Sequence, residues 1–399
     1  MIKRDRYLNK LIQFKDKKLI KIITGIRRCG KSTLFKLFIE NLIKSNVKKE
    51  QIIFINFENL EFEDLLDYKK LYKYIESKLK PNFMNYIFLD EIQNVKYFEK
   101  VSDSLFIKDN VDLYLTGSNA YMLSSEIATL LSGRYVEIKM LPLSFKEYTS
   151  YEDNNNRLIN KYNEYITLGS FPYISELQKN KELIRDYLDG IFSSVILKDV
   201  VSRKNIGDIQ MLESVVKYLF DNIGNITSLK KISDSMTSYG RKISSHTIEK
   251  YIDALTSSFI IYTAKRYDIK GKEYLKTLEK YYVVDIGLRY YLLGNKNIDF
   301  GRILENIVYL ELIRNGYDVY IGKIDRLEVD FVAVKGDEVE YYQVAYTTKD
   351  EKTLERELLS LKKINDNYPK YLITMDEEPI SDYDGIKKVF ALDFLMDCK

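Results

Sequence analysis

Short apolar runs alternate with amphipathic stretches through the first third of the chain. Leu19–Thr24, QIIFINF at 51–57, NYIFLDE at 85–91 and VDLYLTG at 111–117 are each nearly free of charge. Runs of this kind suit parallel strands covered on both faces. After the first run, Leu34, Phe35, Leu37 and Phe38 fall at helical spacing. Strand and helix in alternation predict an α/β core. From 146 to about 225 the pattern is helical. Residues 181–203 place Ile184, Leu188, Ile191 and Val195 on one stripe, leaving Lys198, Asp199 and Arg203 for a solvated face. Between 225 and 290 the segments NITSLKKISDSM and SSHTIEKYIDALTSS predict two helices, and FIIYTAKRYD and KYYVVD two strands. Helix, turn, helix and two strands is the order of a winged helix. The C-terminal part then predicts a helix and strand over 301–322, a hairpin from EVDFVAV and EYYQVAY, a helix at LERELLSLKKI and a strand at YLITMD.

The chain has 399 residues. At about 150 residues per domain, that length suggests two or three domains. The shifts in pattern divide it into 1–145, a helical connector at 146–225, a winged-helix segment at 226–298 and a C-terminal domain at 299–399. The nearest thing to a linker is the asparagine triplet 154–156. Hydrophobic residues make up 45% and charged residues 30%, enough for a sizeable core. A net charge of only +3 means that any affinity for nucleic acid must come from local patches. Two cysteines 369 positions apart exclude a disulfide framework and a zinc spacing, and the single histidine, His246, excludes a His-rich metal site. The N-terminus lacks the apolar segment of a signal peptide, and no apolar run nears the ~20 residues of a membrane span. The expectation is a cytoplasmic protein with no membrane partner.

The strongest chemical signal is Gly25-Ile-Arg-Arg-Cys-Gly-Lys31-Ser32, which fits G-x-x-x-x-G-K-[ST] between a strand and a helix. Glycines let successive N–H groups curl around a phosphate, and the helix N-terminus adds positive dipole. Gly25, Arg28, Cys29, Gly30, Lys31, Ser32 and Thr33 are thus the candidate ATP-binding residues. Lys31 reaches the β/γ-phosphates, and the Ser32 hydroxyl holds Mg²⁺. A second signal fits the first. An apolar strand ends in Asp90-Glu91, and a buried carboxylate needs a partner. Asp90 is the candidate for holding Mg²⁺ through water, and Glu91 for orienting and activating the attacking water. The strand at 51–57 lies between the two motifs in the chain and is expected as an inserted strand of the sheet. Ser118 or Asn119, after the strand at 111–117, is placed to sense the γ-phosphate. Arg134 is a candidate for stabilising transition-state charge, in its own chain or in a neighbour.

GIRRCGKST, YIFLDEIQNV, LTGSNAYMLS, SGRYVEIKMLPLSFKEY and LGSFPYI together resemble the prokaryotic AAA-type ATPases with a C-terminal restriction-endonuclease-like domain. The resemblance spans nearly the whole chain. It implies an ATPase core near residues 1–145 and a restriction-endonuclease-like C-terminal domain. Together with the pattern above, the expected fold is α/β, with a P-loop NTPase parallel sheet core, a helical connector, a winged-helix domain and a restriction-endonuclease-like α/β domain. It also implies nucleotide roles for Lys31, Ser32, Asp90 and Glu91, and makes Asn119 and Arg134 candidates.

Residues 225–270 hold eight Lys/Arg against four Asp/Glu. The second helix of this segment presents His246, Thr247, Glu249, Lys250 and Asp253, and its two acids meet phosphates badly. Base reading normally uses Arg, Lys, Asn or Gln. Lys230, Lys231, Arg241, Lys242, Lys265 and Arg266 remain as backbone grips. In the C-terminal domain, a helix, three strands, a helix and a strand is the order of the PD-(D/E)xK nuclease core. Glu305 and Asp330 occupy its first two acidic places, as a possible metal site. Gln343 and Ala345 stand where that core has Glu and Lys, and Lys335 and Lys349 lack the spacing to replace the lysine. Glu328, two residues before Asp330, shares its strand face. Cleavage is therefore not expected. Three readings stay open: an ATP-hydrolysing switch or motor acting on DNA or a protein partner, an ATP-controlled nuclease, and a nucleotide-dependent regulator. A homo-oligomer is the further partner that an arginine acting in trans requires.

Overall fold

The computed structural model describes residues 2–120, 131, 133–151, 157–201, 206–294, 299–379 and 381–397, without the side chains of 196–198 and 276–277. The asparagine triplet and Arg203 lie outside the described residues. The chain divides into two compact units, 1–140 with 257–259, and 141–256 with 260–399. Among the described residues no helix is long and apolar enough to cross a membrane.

The first unit is built on five strands: β1 (Ile20–Thr24), β2 (Ile52–Asn56), β3 (Asn85–Asp90), β4 (Val111–Gly117) and β5 (Tyr135–Lys139). They form one sheet in the order β2-β3-β4-β1-β5, parallel at every pairing. The strand at 51–57, β2, joins the sheet as expected and takes its edge position. The strand between β1 and β3 in space is β4, because its cross-connection returns to the middle of the sheet. Side chains on the pleat alternate between two cores. Ile87 and Leu89 of β3 join Ile20, Ile22, Leu113 and Leu115, under Leu71, Val101 and Leu105 of the helices Tyr68–Lys78 and Phe98–Phe106. Phe88 points the other way and stacks on Tyr114 at 4.8 Å, with Phe35 of the helix Lys31–Lys44 edge-on at 5.1 Å. Lys21 interrupts the apolar run of β1 yet is wholly buried. Its ammonium pairs with Asp112, which also accepts from the Tyr114 hydroxyl at 2.7 Å. Burial lowers the Lys21 pKa against the pull of Asp112.

The second unit begins with helices at Phe145–Ser150, Leu158–Leu168, Lys181–Ser194 and Ile209–Asp221. Ile184, Leu188, Ile191 and Val195 are buried as the stripe requires. Asp199 is buried too, not solvated. The segment Leu168–Ile174 has a packing role. Asp285 accepts from the Ser170 N–H at 2.6 Å and from its hydroxyl, and also caps the helix Ile286–Leu293. A Cβ on Gly287 would lie 2.4 Å from the Gly169 Cα, so the two glycines let the backbones meet.

Two helices, Leu229–Ser238 and Ser245–Ser257, come next, followed by the hairpin of β6 (Ile261–Asp268) and β7 (Glu273–Val283). The remaining elements are the helix Phe300–Arg314, β8 (Asp318–Ile324), β9 (Leu327–Lys335), β10 (Glu338–Ala345), the helix Glu351–Lys362, β11 (Lys370–Thr374), β12 (Ser381–Tyr383), β13 (Ile386–Phe390) and a helix at Ala391–Leu395. All eight strands form one sheet, in the order β12-β13-β11-β10-β9-β8-β6-β7. The hairpin that sequence order assigns to a wing is thus the edge of the C-terminal sheet. Arg266–Asp268 of β6 run parallel to Ile321–Lys323 of β8. Glu305, Asn306 and Glu311 are buried with the apolar residues of their helix, so that helix is enclosed all round.

Candidate nucleotide site and a buried carboxylate cluster

At the end of β1 the chain turns through Gly25 at φ 152, Arg28 at φ 67 and Gly30 at φ 103. A Cβ on Gly25 would stand 2.1 Å from the Met140 carbonyl oxygen, so only glycine fits there. The helix Lys31–Lys44 starts with no side-chain cap and no acid in its first turn, which leaves its positive end open. The Lys31 ammonium donates to the carbonyls of Gly25 at 3.0 Å and Ile26 at 3.3 Å, and lies 3.6 Å from the Glu91 carboxylate. Cys29 is buried beneath the loop, and burial pushes its thiol pKa up. Arg4 donates to the Cys29 carbonyl at 2.9 Å.

Asp90 ends β3 and Glu91 follows it, both buried. Asp90 accepts from the Thr116 hydroxyl at 2.6 Å and from the Asn56 amide at 2.9 Å. Burial pushes the Asp90 carboxyl above its usual range, while hydrogen bonds from Thr116 and Ser32 pull it back. Glu91 is also raised by burial, but Lys31, then Gln93 and Arg27, overcome that and leave it below the ordinary value. Its backbone is left-handed at φ 56, which costs a non-glycine residue about 1–2 kcal/mol. The Glu91 N–H donates to the Thr116 hydroxyl at 2.9 Å, and the Gln93 amide donates to its carboxylate. Strain is thus held by contacts that fix the direction of the carboxylate.

Because β4 lies between β1 and β3, its end delivers Thr116, Ser118 and Asn119 to the same edge of the sheet, all buried. Ser118 is 3.5 Å from the Gln93 amide. Arg134 is not brought there. Its carbonyl accepts from the Ile20 N–H at the opposite end of β1, and its guanidinium pairs with Asp103 at 3.5 Å and covers the Phe106 ring. In its own chain Arg134 therefore does not face the phosphate loop. Sequence reasoning missed Arg4, Asn56, Gln93 and Thr116. A signal existed for two of them. Asn56 is the register partner of Asp90, and Thr116 ends a strand of the same sheet, and ligands gather at the carboxyl ends of parallel strands.

A second polar cluster is buried in the other unit. Lys280 of β7 places its ammonium 2.8 Å from Glu305, 2.7 Å from Glu328 and 3.4 Å from Asp330. The Tyr282 hydroxyl donates to Glu305 at 2.6 Å, and the Val344 N–H to Asp330 at 2.9 Å. The Asn306 side chain clasps both the N–H and the carbonyl of Val283, at 2.8 and 2.9 Å. Burial and then Glu305 push the Asp330 carboxyl up to about 7, against the pull of Lys280. Gln343 donates to Glu357 at 2.8 Å, and its carbonyl accepts from the Asp330 N–H and the Ser360 hydroxyl, each at 3.3 Å. Lys335 instead covers the Tyr317 ring. Among the described residues no three His, Cys, Asp or Glu side chains are disposed to hold a metal ion.

In the helix pair, Ile248, Tyr251, Ile252 and Leu255 are buried. Lys230, Lys231, Lys242, His246, Glu249, Lys250 and Asp253 are exposed. His246 lies 3.7 Å from Glu249, one of the acids that weaken this helix as a reader of bases.

Comparison with known proteins adds the following. The AAA domain family matches residues 17–149, and a domain of unknown function, DUF8612, matches 159–299. An uncharacterised protein of Haemophilus influenzae is 43% identical over 400 residues, covering 99% of each chain. The uncharacterised protein MJ1544 of Methanocaldococcus jannaschii is 32% identical over 390 residues, covering 90% of this chain and 82% of its own. Among solved structures, the Walker-type ATPase PABY2304 of Pyrococcus abyssi is similar at a TM-score of 0.50 and 16% identity. That match covers 73% of this chain and 96% of the other. At such identity the likeness concerns the fold alone, a P-loop NTPase α/β fold.

Proposed function

This chain belongs to the family of the Haemophilus influenzae protein, with an AAA domain of P-loop ATPase fold, and we propose that it is an ATP-binding and ATP-hydrolysing switch. One observation carries the reading: Lys31, Asp90 and Glu91 converge, with Thr116 joined to both acids, at the carboxyl edge of β1, β3 and β4. Backbone N–H groups from Gly25 to Thr33 hold the phosphates, and Lys31 exchanges its loop carbonyls for phosphate oxygens. Glu91 orients the attacking water and takes its proton, a role suited to a carboxylate kept ionised by Lys31.

Mg²⁺ fits the residues present. The Ser32 hydroxyl is bonded to Asp90, a pair of hard oxygen donors beside the phosphate loop. A small cation shared with phosphates needs no cage of several protein carboxylates. Bound there, it would neutralise charge on the phosphates. The output is carried by the second unit, whose exposed Lys230, Lys231 and Lys242 support contact with a DNA backbone. The restriction-endonuclease-like reading of its sheet rests on element order. The test is nucleotide binding and phosphate release, measured side by side. Lys31→Ala loses binding; Glu91→Gln binds ATP but turns over at least about 100-fold more slowly. Full turnover in Glu91→Gln would remove Glu91 as the water-activating group.

A further inference from the structure

Sequence order brings Glu305 and Asp330 together as acids of a nuclease-like core, where a divalent metal is expected. The residues around them do not fit one. We propose that Lys280 is the resident cation of this cluster: its ammonium fills the metal's place between Glu305, Glu328 and Asp330, so this unit binds no divalent metal and cuts no phosphodiester bond.

Geometry and valence carry the inference. An ammonium has three N–H donors, and three carboxylates stand within 3.4 Å of this one. Mg²⁺ needs oxygens at about 2.0–2.1 Å around its own centre. It cannot enter among the same carboxylates until Lys280 leaves. Lys280 is poorly placed to leave, with its side chain 4% exposed on a strand pinned to the helix by both bonds of Asn306. Some of the neighbouring acceptors are also engaged. Tyr282 donates to the Glu305 oxygen that Lys280 holds, and Val344 donates to the second oxygen of Asp330. Gln343, in the third acid's place, spends its carbonyl on Asp330 N–H and Ser360 and its amide on Glu357. Ala345 supplies no donor. Lys280 thus differs from the lysine of a cleaving site, which stands beside metal ligands rather than among them.

The ammonium also explains how Glu305 and Asp330 persist in the interior, with the half-buried Glu328 beside them. A buried charge without a partner is strongly destabilising, and removing one partner of a buried pair costs more than an exposed pair contributes. Lys280 joins β7, the helix Phe300–Arg314 and β9 through a single atom. The inference is independent of ATP hydrolysis, since it concerns residues of the second unit alone.

The experiment is Mn²⁺ binding to the full chain without nucleotide, followed by paramagnetic resonance and by thermal unfolding. Wild type is expected to bind no Mn²⁺ at this cluster and to unfold alike in Mn²⁺ and in chelator. Lys280→Met, of similar length but uncharged, is expected to gain one Mn²⁺ per chain. Adding Asp330→Asn to it is expected to abolish that gain. A wild-type Mn²⁺ site lost in Asp330→Asn would overturn the proposal, and needs no Lys280 variant to fold. So would a folded Lys280→Met that gains no Mn²⁺, or DNA cleavage by wild type that disappears in Asp330→Asn.

Discussion

Replacing Thr116 by valine isolates one hydroxyl. The two side chains are nearly equal in volume, so the surrounding packing stays. The hydroxyl donates to Asp90 at 2.6 Å and accepts from the Glu91 N–H at 2.9 Å, and Thr116 has no exposed surface. A hydrogen bond to a charged group is worth about 1.5–3 kcal/mol, and a buried N–H left unpaired costs about 1–3 kcal/mol. The two losses overlap, since the atoms relax together, so Thr116→Val should destabilise the first unit by about 2–4 kcal/mol. The Thr116 bond favours ionised Asp90. The penalty is therefore full where Asp90 is charged and shrinks as pH falls through its raised folded pKa. In catalysis, the left-handed backbone of Glu91 loses its brace. Turnover should drop about 10- to 100-fold, the equivalent of ~1.4–2.8 kcal/mol. Nucleotide affinity should stay near wild type, because Lys31 and the loop are untouched. Thr116→Ser keeps the hydroxyl and should restore turnover. The assays are urea unfolding, steady-state phosphate release and titration with a fluorescent nucleotide. Wild-type stability and turnover in Thr116→Val would refute the reasoning, for the two acids would then be held by something else.

Asp376 accepts from the Thr347 hydroxyl at 2.6 Å, from the Thr348 N–H at 2.8 Å and from Lys388 at 3.3 Å. Burial raises its pKa, but these contacts outweigh that and hold it below the ordinary value. Asp376→Asn should cost about 1–3 kcal/mol near neutrality. The sign follows from linkage: a depressed carboxyl contributes stability above its unfolded pKa and loses it as pH falls through the folded pKa. Denaturant midpoints of Asp376→Asn and wild type should therefore converge in acid, and a constant gap would contradict this. If the helix pair grips DNA, changing Lys230, Lys231 and Lys242 to alanine should reduce the slope of log affinity against log salt by about 0.9 per lost phosphate contact. An unchanged slope would exclude those lysines from the contact.

What could be read from the chain depended on how far apart the partners lie. The phosphate loop is legible because its chemistry is local: Gly25, Gly30 and Lys31 act within one turn. Asp90 and Glu91 are legible because acids ending an apolar strand need partners. Lys280 was invisible. It meets Glu305 and Asp330 from 25 and 50 residues away, in a strand whose pattern gave it no role. The same distance hid that the hairpin of β6 and β7 joins the C-terminal sheet, since chain order reads it as a wing. Lys21 looks like an error in a buried run until Asp112, 91 residues on, is brought opposite. Arg134 was legible as a candidate but not as to whether it serves its own chain. An arginine after a polar loop is common, and only register shows which end of the sheet it reaches.

Strand β7 has a mechanical consequence. Glu279 pairs with Thr227, with N–H to carbonyl distances of 3.0 and 3.2 Å, just before the helix pair begins, and Lys280 is the next residue. Gly224 donates to the Tyr281 carbonyl, and its missing side chain leaves room for the Glu305 carboxylate. The joint between the helix pair and the C-terminal sheet is therefore a bolted one, and the Lys280 cluster anchors the next residue of the same strand. Force on the helices passes to the sheet within one residue of β7. To part the two, the chain must first break the Thr227–Glu279 pairing and the Gly224–Tyr281 bond. The helix pair and the sheet thus share one backbone joint, at Gly224–Thr227 and Glu279–Tyr281.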